Sequence, residues 1–72
     1  MKNKEDDKMT IRQLKKGEFF TKKQIEYPSD NQVWIRGDYD KEQKKYECVC
    51  FGDANRFCYI KGDKEVFTDF TF

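Results

Sequence analysis

The sequence predicts a mainly β protein: a small five-stranded antiparallel SH3-like barrel, partly open, with one short N-terminal helical turn. Three observations carry that prediction. Short segments rich in rings and β-branched residues recur about every ten residues, separated by turn chemistry, as in small barrels and sandwiches. Only one stretch, near the N-terminus, has the start and stop signals of a helix. The core-forming residues are rings: Leu, Ile and Val number only eight of 72, against seven Phe, four Tyr and one Trp. Each large ring buries about 150–250 Å², so a thin core can form without leucine. An immunoglobulin sandwich needs about 100 residues, which leaves an OB-like barrel as the main rival.

The elements follow in order. Residues 1–8 (MKNKEDDK) hold no core-forming residue beyond Met1 and read as a disordered charged tail, leaving 9–72 as the single barrel domain. Thr10 is a helix N-cap with Gln13 three residues on, and Met9 and Leu14 have hydrophobic-staple spacing. Lys15 and Lys16 suit a helix C-terminus and Gly17 the left-handed residue after it. Thr10–Lys16 therefore reads as one or two helical turns aiming Ile11 and Leu14 at the core. Glu18–Lys23 is the first strand, and Gln24–Asn31, with Pro28, is a loop. Gln32–Asp38 is the clearest strand: Val33 and Ile35 share one face, Trp34 and Arg36 the other. Tyr39 continues it or opens the turn, and Asp40–Lys45 is a polar hairpin loop. Tyr46–Phe51 is the third strand, Gly52–Asn55 a turn, and Arg56–Lys61 the fourth strand. Glu65–Phe72 is the fifth, with Val66, Thr68, Phe70 and Phe72 on one face, and its last ring tied into the sheet.

Charge excludes more than it assigns. The chain carries 15 basic and 14 acidic residues, a net charge of +1, and no histidine. Histidine acid–base chemistry and histidine-containing metal sites are thereby excluded. Disorder couples low hydrophobicity to high net charge and few rings, which is not this composition. No run approaches the roughly 18 apolar residues of a membrane span, and no apolar signal region follows the charged start. With an odd count of three cysteines, a reduced, cytoplasmic setting is the simpler expectation.

The segments IRQLKKGEFF (Ile11–Phe20), VWIRGDYD, KKYEC and KGDKEVFTDF together resemble a pattern in small uncharacterised proteins of Bacteroides-type bacteria and their phages or mobile elements. The Leu-x-x-Gly-x-x-Phe opening (Leu14, Gly17, Phe20) is a common entry into small barrels. The resemblance spans most of Met9–Phe72. It implies a bacterial or phage origin and an SH3-like barrel, and it carries no catalytic residue.

Candidate chemistry is sparse. Cys48 and Cys50 lie two apart on a strand and so share a face. A turn centred near Ala54 sets Cys50 opposite Cys58, a pair able to form a disulfide or give two thiolates to a metal. Zinc wants four Cys or His ligands with wider spacing, so the cysteines read as small buried hydrophobes, and no metal or other cofactor is expected. There is no Ser/His/Asp or Cys/His set and no Gly-rich phosphate loop, so the expectation is a non-enzyme without a small-molecule substrate. Binding is left. If Val33 and Ile35 form the core face, Trp34 is partly exposed and joins Arg36, Tyr39, Lys45 and Tyr46 as candidate contact residues on a predicted hairpin. Rings and Arg are the usual interface anchors, which favours a protein partner, the chain being an accessory or inhibitor factor. The alternative is single-stranded nucleic acid, bound by those residues and Lys44 through stacking and basic groups. The near-zero net charge argues against strong phosphate binding.

Overall fold

The computed structural model describes residues 8–71. They form six antiparallel strands in one open sheet, in the order β1-β6-β2-β3-β4-β5. The strands are β1 (Lys8–Thr10), β2 (Phe19–Thr21), β3 (Val33–Asp40), β4 (Lys45–Cys50), β5 (Asp53–Lys61) and β6 (Glu65–Phe67). Strands β2 to β5 form a meander, and β6 returns between β2 and β1.

The five-strand expectation is corrected to six, because Lys8–Thr10 is a strand antiparallel to β6, with Met9 opposite Val66. The other residues of the expected tail lie outside the described residues. The helical turn is shorter than its signals suggest: a 3-10 turn over Ile11–Gln13, with Leu14 already extended. Its N-cap chemistry is present, since the Thr10 backbone N–H donates to Gln13 Oε1 at 2.8 Å. The Ile11 and Arg12 N–H groups donate to the carbonyls of Lys64 and Gly62. These bonds to the β5–β6 turn satisfy N–H groups that have no intrahelical acceptor at a helix start, and they anchor the turn to the sheet. A second capping box, Ser29 to Gln32, closes a 3-10 turn over Asp30–Gln32 inside the expected loop.

The GDAN segment is not the turn. Gly52 turns the chain with Phe51, and β5 begins at Asp53. A register break sets Cys50 opposite Asp53 and Val49 opposite Phe57, so Ala54–Arg56 bulge out of the ladder. At the far end, β6 stops at Phe67 rather than running to the terminus. Thr71 still ties back, its N–H donating to the Glu26 carbonyl at 2.9 Å. Phe72 lies outside the described residues.

The core lies against one face of the sheet. Ile11, Leu14, Phe20, Trp34, Cys48, Cys50 and Val66 form it, with Met9, Tyr46, Cys58 and Ile60 packed against it. In register, Phe20 faces Trp34 and Trp34 faces Cys50; Arg36 faces Cys48 and Cys48 faces Cys58. Ile11 and Leu14 from the N-terminal turn pack onto this face.

Candidate functional site

The register places the sequence-derived contact residues, and divides them. Trp34 is 6% exposed and belongs to the core. The reading of Val33 and Ile35 as the core face with Trp34 partly exposed is therefore corrected. Val33 is also fully buried, opposite the buried Thr21, so near the start of β3 both faces of the sheet are covered and alternation gives no answer there.

Arg36, Tyr39 and Tyr46 do come together. The Arg36 guanidinium lies 4.2 Å from the centroid of Tyr46, and the Tyr39 and Tyr46 rings are 4.9 Å apart. A one-residue shift between Arg36 and Tyr39 keeps Tyr39 directly opposite Tyr46; without it the two rings would face opposite sides of the sheet. Gly37 sits in this bulge because a Cβ there would meet the Glu47 carbonyl oxygen at 2.6 Å. Arg36 Nη1 donates to the Gly37 carbonyl at 3.0 Å. Arg36 and Tyr46 are half-buried and only Tyr39 is exposed, so the trio mostly closes one end of the core. Lys45 precedes Tyr46 on β4 and projects from the other face.

The cysteines are free thiols. The cross-strand pair is Cys48 with Cys58, not Cys50 with Cys58, because the turn falls earlier and three residues bulge. Cys50 lies near the Asn31 carbonyl, 3.6 Å from Sγ. Burial pushes the Cys48 thiol up to about 11, with Cys58 opposite adding to the rise, which leaves Cys48 a poor nucleophile at neutral pH. Among the described residues no group of three or more His, Cys, Asp or Glu is placed to hold a metal.

The sheet face turned away from the core carries what the sequence reading missed. Phe19, Ile35, Val49 and Phe57 are successive register partners on four neighbouring strands. They form one apolar row across the sheet. Phe57, on the outermost strand, is 56% exposed, and Phe19 and Phe51 are also exposed. The Phe51 ring lies 5.4 Å from Phe19, and the Tyr59 ring 6.1 Å from Phe57. Beside the row, Glu47 faces Tyr59. Both border a depression of about 340 Å³ also lined by Asp38, Tyr39, Asp40, Lys41 and Glu42. Lys16 Nζ lies 2.8 Å from Asp38 Oδ1, and Asp40 Oδ1 accepts the Glu42 N–H at 2.9 Å. The signal available beforehand was parity. Once Trp34 is core, Ile35 must face the other way, and Val49 follows on β4, with Phe51 just past its end.

No protein-family model, no curated protein and no solved structure matches the chain. No helix among the described residues is long and apolar enough to cross a membrane.

Proposed function

We propose that this chain is a non-enzymatic binding module that engages a protein partner through the sheet face opposite its core. The observation that carries the reading is the in-register row Phe19–Ile35–Val49–Phe57. Scattered exposed apolar residues are ordinary, whereas contiguous apolar patches mark interaction sites. The carboxylates beside the row, with Tyr39 and Tyr59 among them, favour a partner segment that sets basic groups next to apolar ones. In this reading Tyr39, whose ring packs on the core side against Tyr46, is retained from the sequence only as a residue at the rim of the acidic depression, and Trp34 is structural.

The finer fold reading belongs here as well. The β2–β5 meander with β6 returned beside β2 supports an SH3-like, partly open barrel, to which β1 adds a strand. The resemblance to proteins of Bacteroides-type bacteria and their phages supports a cytoplasmic accessory or inhibitor factor of mobile-element origin.

The test is parallel affinity capture with the wild-type chain, Phe57→Asp and Tyr27→Ala. Tyr27 is the most exposed ring among the described residues and lies off the sheet. A protein held by the wild type and Tyr27→Ala but released by Phe57→Asp supports the reading. A partner lost equally from both variants, or held equally by both, refutes it.

A further inference from the structure

Trp34, a core residue, has two cations against its ring. Lys22 Nζ lies 4.0 Å from the indole centroid and the Arg56 guanidinium carbon 5.4 Å from it. Arg56 reaches the ring from the segment of β5 that bulges out of the ladder. A depression of about 250 Å³ here is lined by Lys22, Lys23, Trp34 and Arg56 together with Ile25, Asn31 and Gln32. Lys22 also lines a second depression of about 250 Å³, with Tyr59, Ile60, Lys64 and Val66. The two hollows thus share a wall and carry four cations between them, and no carboxylate lines either. Among the described residues, none of these four makes an ion pair. In a chain whose 15 basic and 14 acidic residues almost cancel, this is a strong local segregation. The acidic depression at the β3–β4 hairpin is its counterpart.

Uncompensated cations around an aromatic floor attract anions, and the field is focused in a recess walled by low-dielectric protein. Two adjoining hollows joined by one lysine make a short track, which suits a chain of anions better than a single ion. We propose that Lys22, Lys23, Arg56 and Lys64, set around Trp34 and Tyr59, bind the phosphodiester backbone of a single-stranded nucleic acid. Trp34 is buried with cations against its ring, so it does not stack on a base. Tyr59 offers the stacking surface, and the affinity is mainly electrostatic. This surface shares Trp34, but none of its cations, with the Trp34–Arg36–Tyr39–Lys44–Lys45–Tyr46 patch that the sequence suggests for nucleic acid, and it meets the protein-binding face at Tyr59.

The experiment is fluorescence anisotropy of a labelled 15-nucleotide oligo-dT with the full chain, titrated with salt. Expected is binding at low salt with a log–log slope of about −2 to −3, since each single-strand phosphate contact contributes about −0.7. Arg56→Glu with Lys64→Glu reverses two exposed charges and should weaken binding at least tenfold with a shallower slope. Lys41→Glu with Lys44→Glu makes the same change of net charge at the hairpin and should weaken it less than twofold. Trp34 is the only tryptophan, so its emission reports directly: the wild type should shift on binding, and matched free-state spectra of the variants confirm their folding. Absence of binding at low salt overturns the proposal, as does equal weakening by the hairpin pair. Displacement by poly-glutamate at equal charge, as effective as by unlabelled oligo-dT, overturns it in favour of an acidic protein ligand.

Discussion

Phe20 and Phe57 allow the same deletion to be made on the two faces of one sheet. Phe20 is 0% exposed and packs with Ile11, Trp34 and Cys50. Its truncation in Phe20→Ala removes a ring from a layer that has few apolar neighbours to collapse into the gap. Buried Phe→Ala changes cost about 3–5 kcal/mol. A chain of this size has about 4–11 kcal/mol of stability in all, and a thin core puts it toward the lower end. Phe20→Ala should therefore be largely unfolded at 25 °C or lose most of its denaturant midpoint. Phe57 already leaves over half of its surface in water, so Phe57→Ala should cost below about 1 kcal/mol, as surface changes do. That corresponds to a fall of at most about 4–8 °C in melting temperature. Urea titration followed by Trp34 emission and far-UV circular dichroism measures both. A Phe57→Ala loss as large as that of Phe20→Ala would show the apolar row to be a second core, and would remove the basis for an interaction face.

The remaining predictions concern ionisation and backbone. Because the folded-state pKa of Cys48 is raised from 9.0 to about 11, its contribution is fully present below pH 9 and is lost as pH rises through 11. Stability of the wild type should thus fall between pH 9 and 11 more steeply than that of Cys48→Ala, measured by urea midpoints across that range. Lys44 holds φ at 58° while its N–H donates to the Asp40 carbonyl at 2.7 Å; Lys44→Gly relieves that conformation and should raise stability by up to about 1 kcal/mol in a thermal melt. Gly37→Ala drives a Cβ into the Glu47 carbonyl and should cost about 1–3 kcal/mol, as overpacking does, with separated Tyr39 and Tyr46 rings visible in near-UV circular dichroism. Gln13→Ala removes the acceptor for the Thr10 N–H and should cost about 0.5–2 kcal/mol by urea titration, the range of a lost cap.

The elements were readable where local chemistry acts alone. Thr10 and Gln13 mark a helical start without help from the rest of the chain, and β3 and β4 are found close to their expected bounds. What failed depended on partners distant in sequence. Lys8–Thr10 gives no strand signal by itself and is a strand because Val66 and its neighbours present an edge. The Ile11 and Arg12 N–H groups bond to the β5–β6 turn, an anchor distant in sequence, and the helical signals do not show that the chain is already extended at Leu14. The cysteine pairing failed through a three-residue bulge in β5, which neither propensity nor turn residues announce. Ser29–Gln32 differs in kind: it has the same Ser/Thr-x-x-Gln spacing as Thr10–Gln13, but the adjacent Pro28 and Asp30 give it the signature of a plain loop. Among the candidate contact residues, the association of Arg36, Tyr39 and Tyr46 followed from the hairpin. Which of their faces is buried did not follow, because Val33 and Trp34 are both buried and cancel the alternation signal.

The scarcity of aliphatic residues explains why this sheet has one finished face. The N-terminal turn with β1 and β6 supplies Met9, Ile11, Leu14 and Val66 to one side, and that uses three of the chain's eight Leu, Ile and Val side chains and one of its two methionines. Nothing comparable is left in the described residues for a second layer, yet the open face still carries rings in register. Had solubility alone set those positions, Phe19, Val49 and Phe57 would be the first to become Thr, Lys or Glu, since at exposed strand positions such residues lower the hazard of aggregation. Charges are abundant elsewhere, including at both ends of the same strands, so their absence from this row is specific to it. An apolar row kept on an otherwise heavily charged surface is what a partner-binding face requires. A row of cations kept free of carboxylates around Trp34 and Tyr59 makes the corresponding case for an anionic ligand.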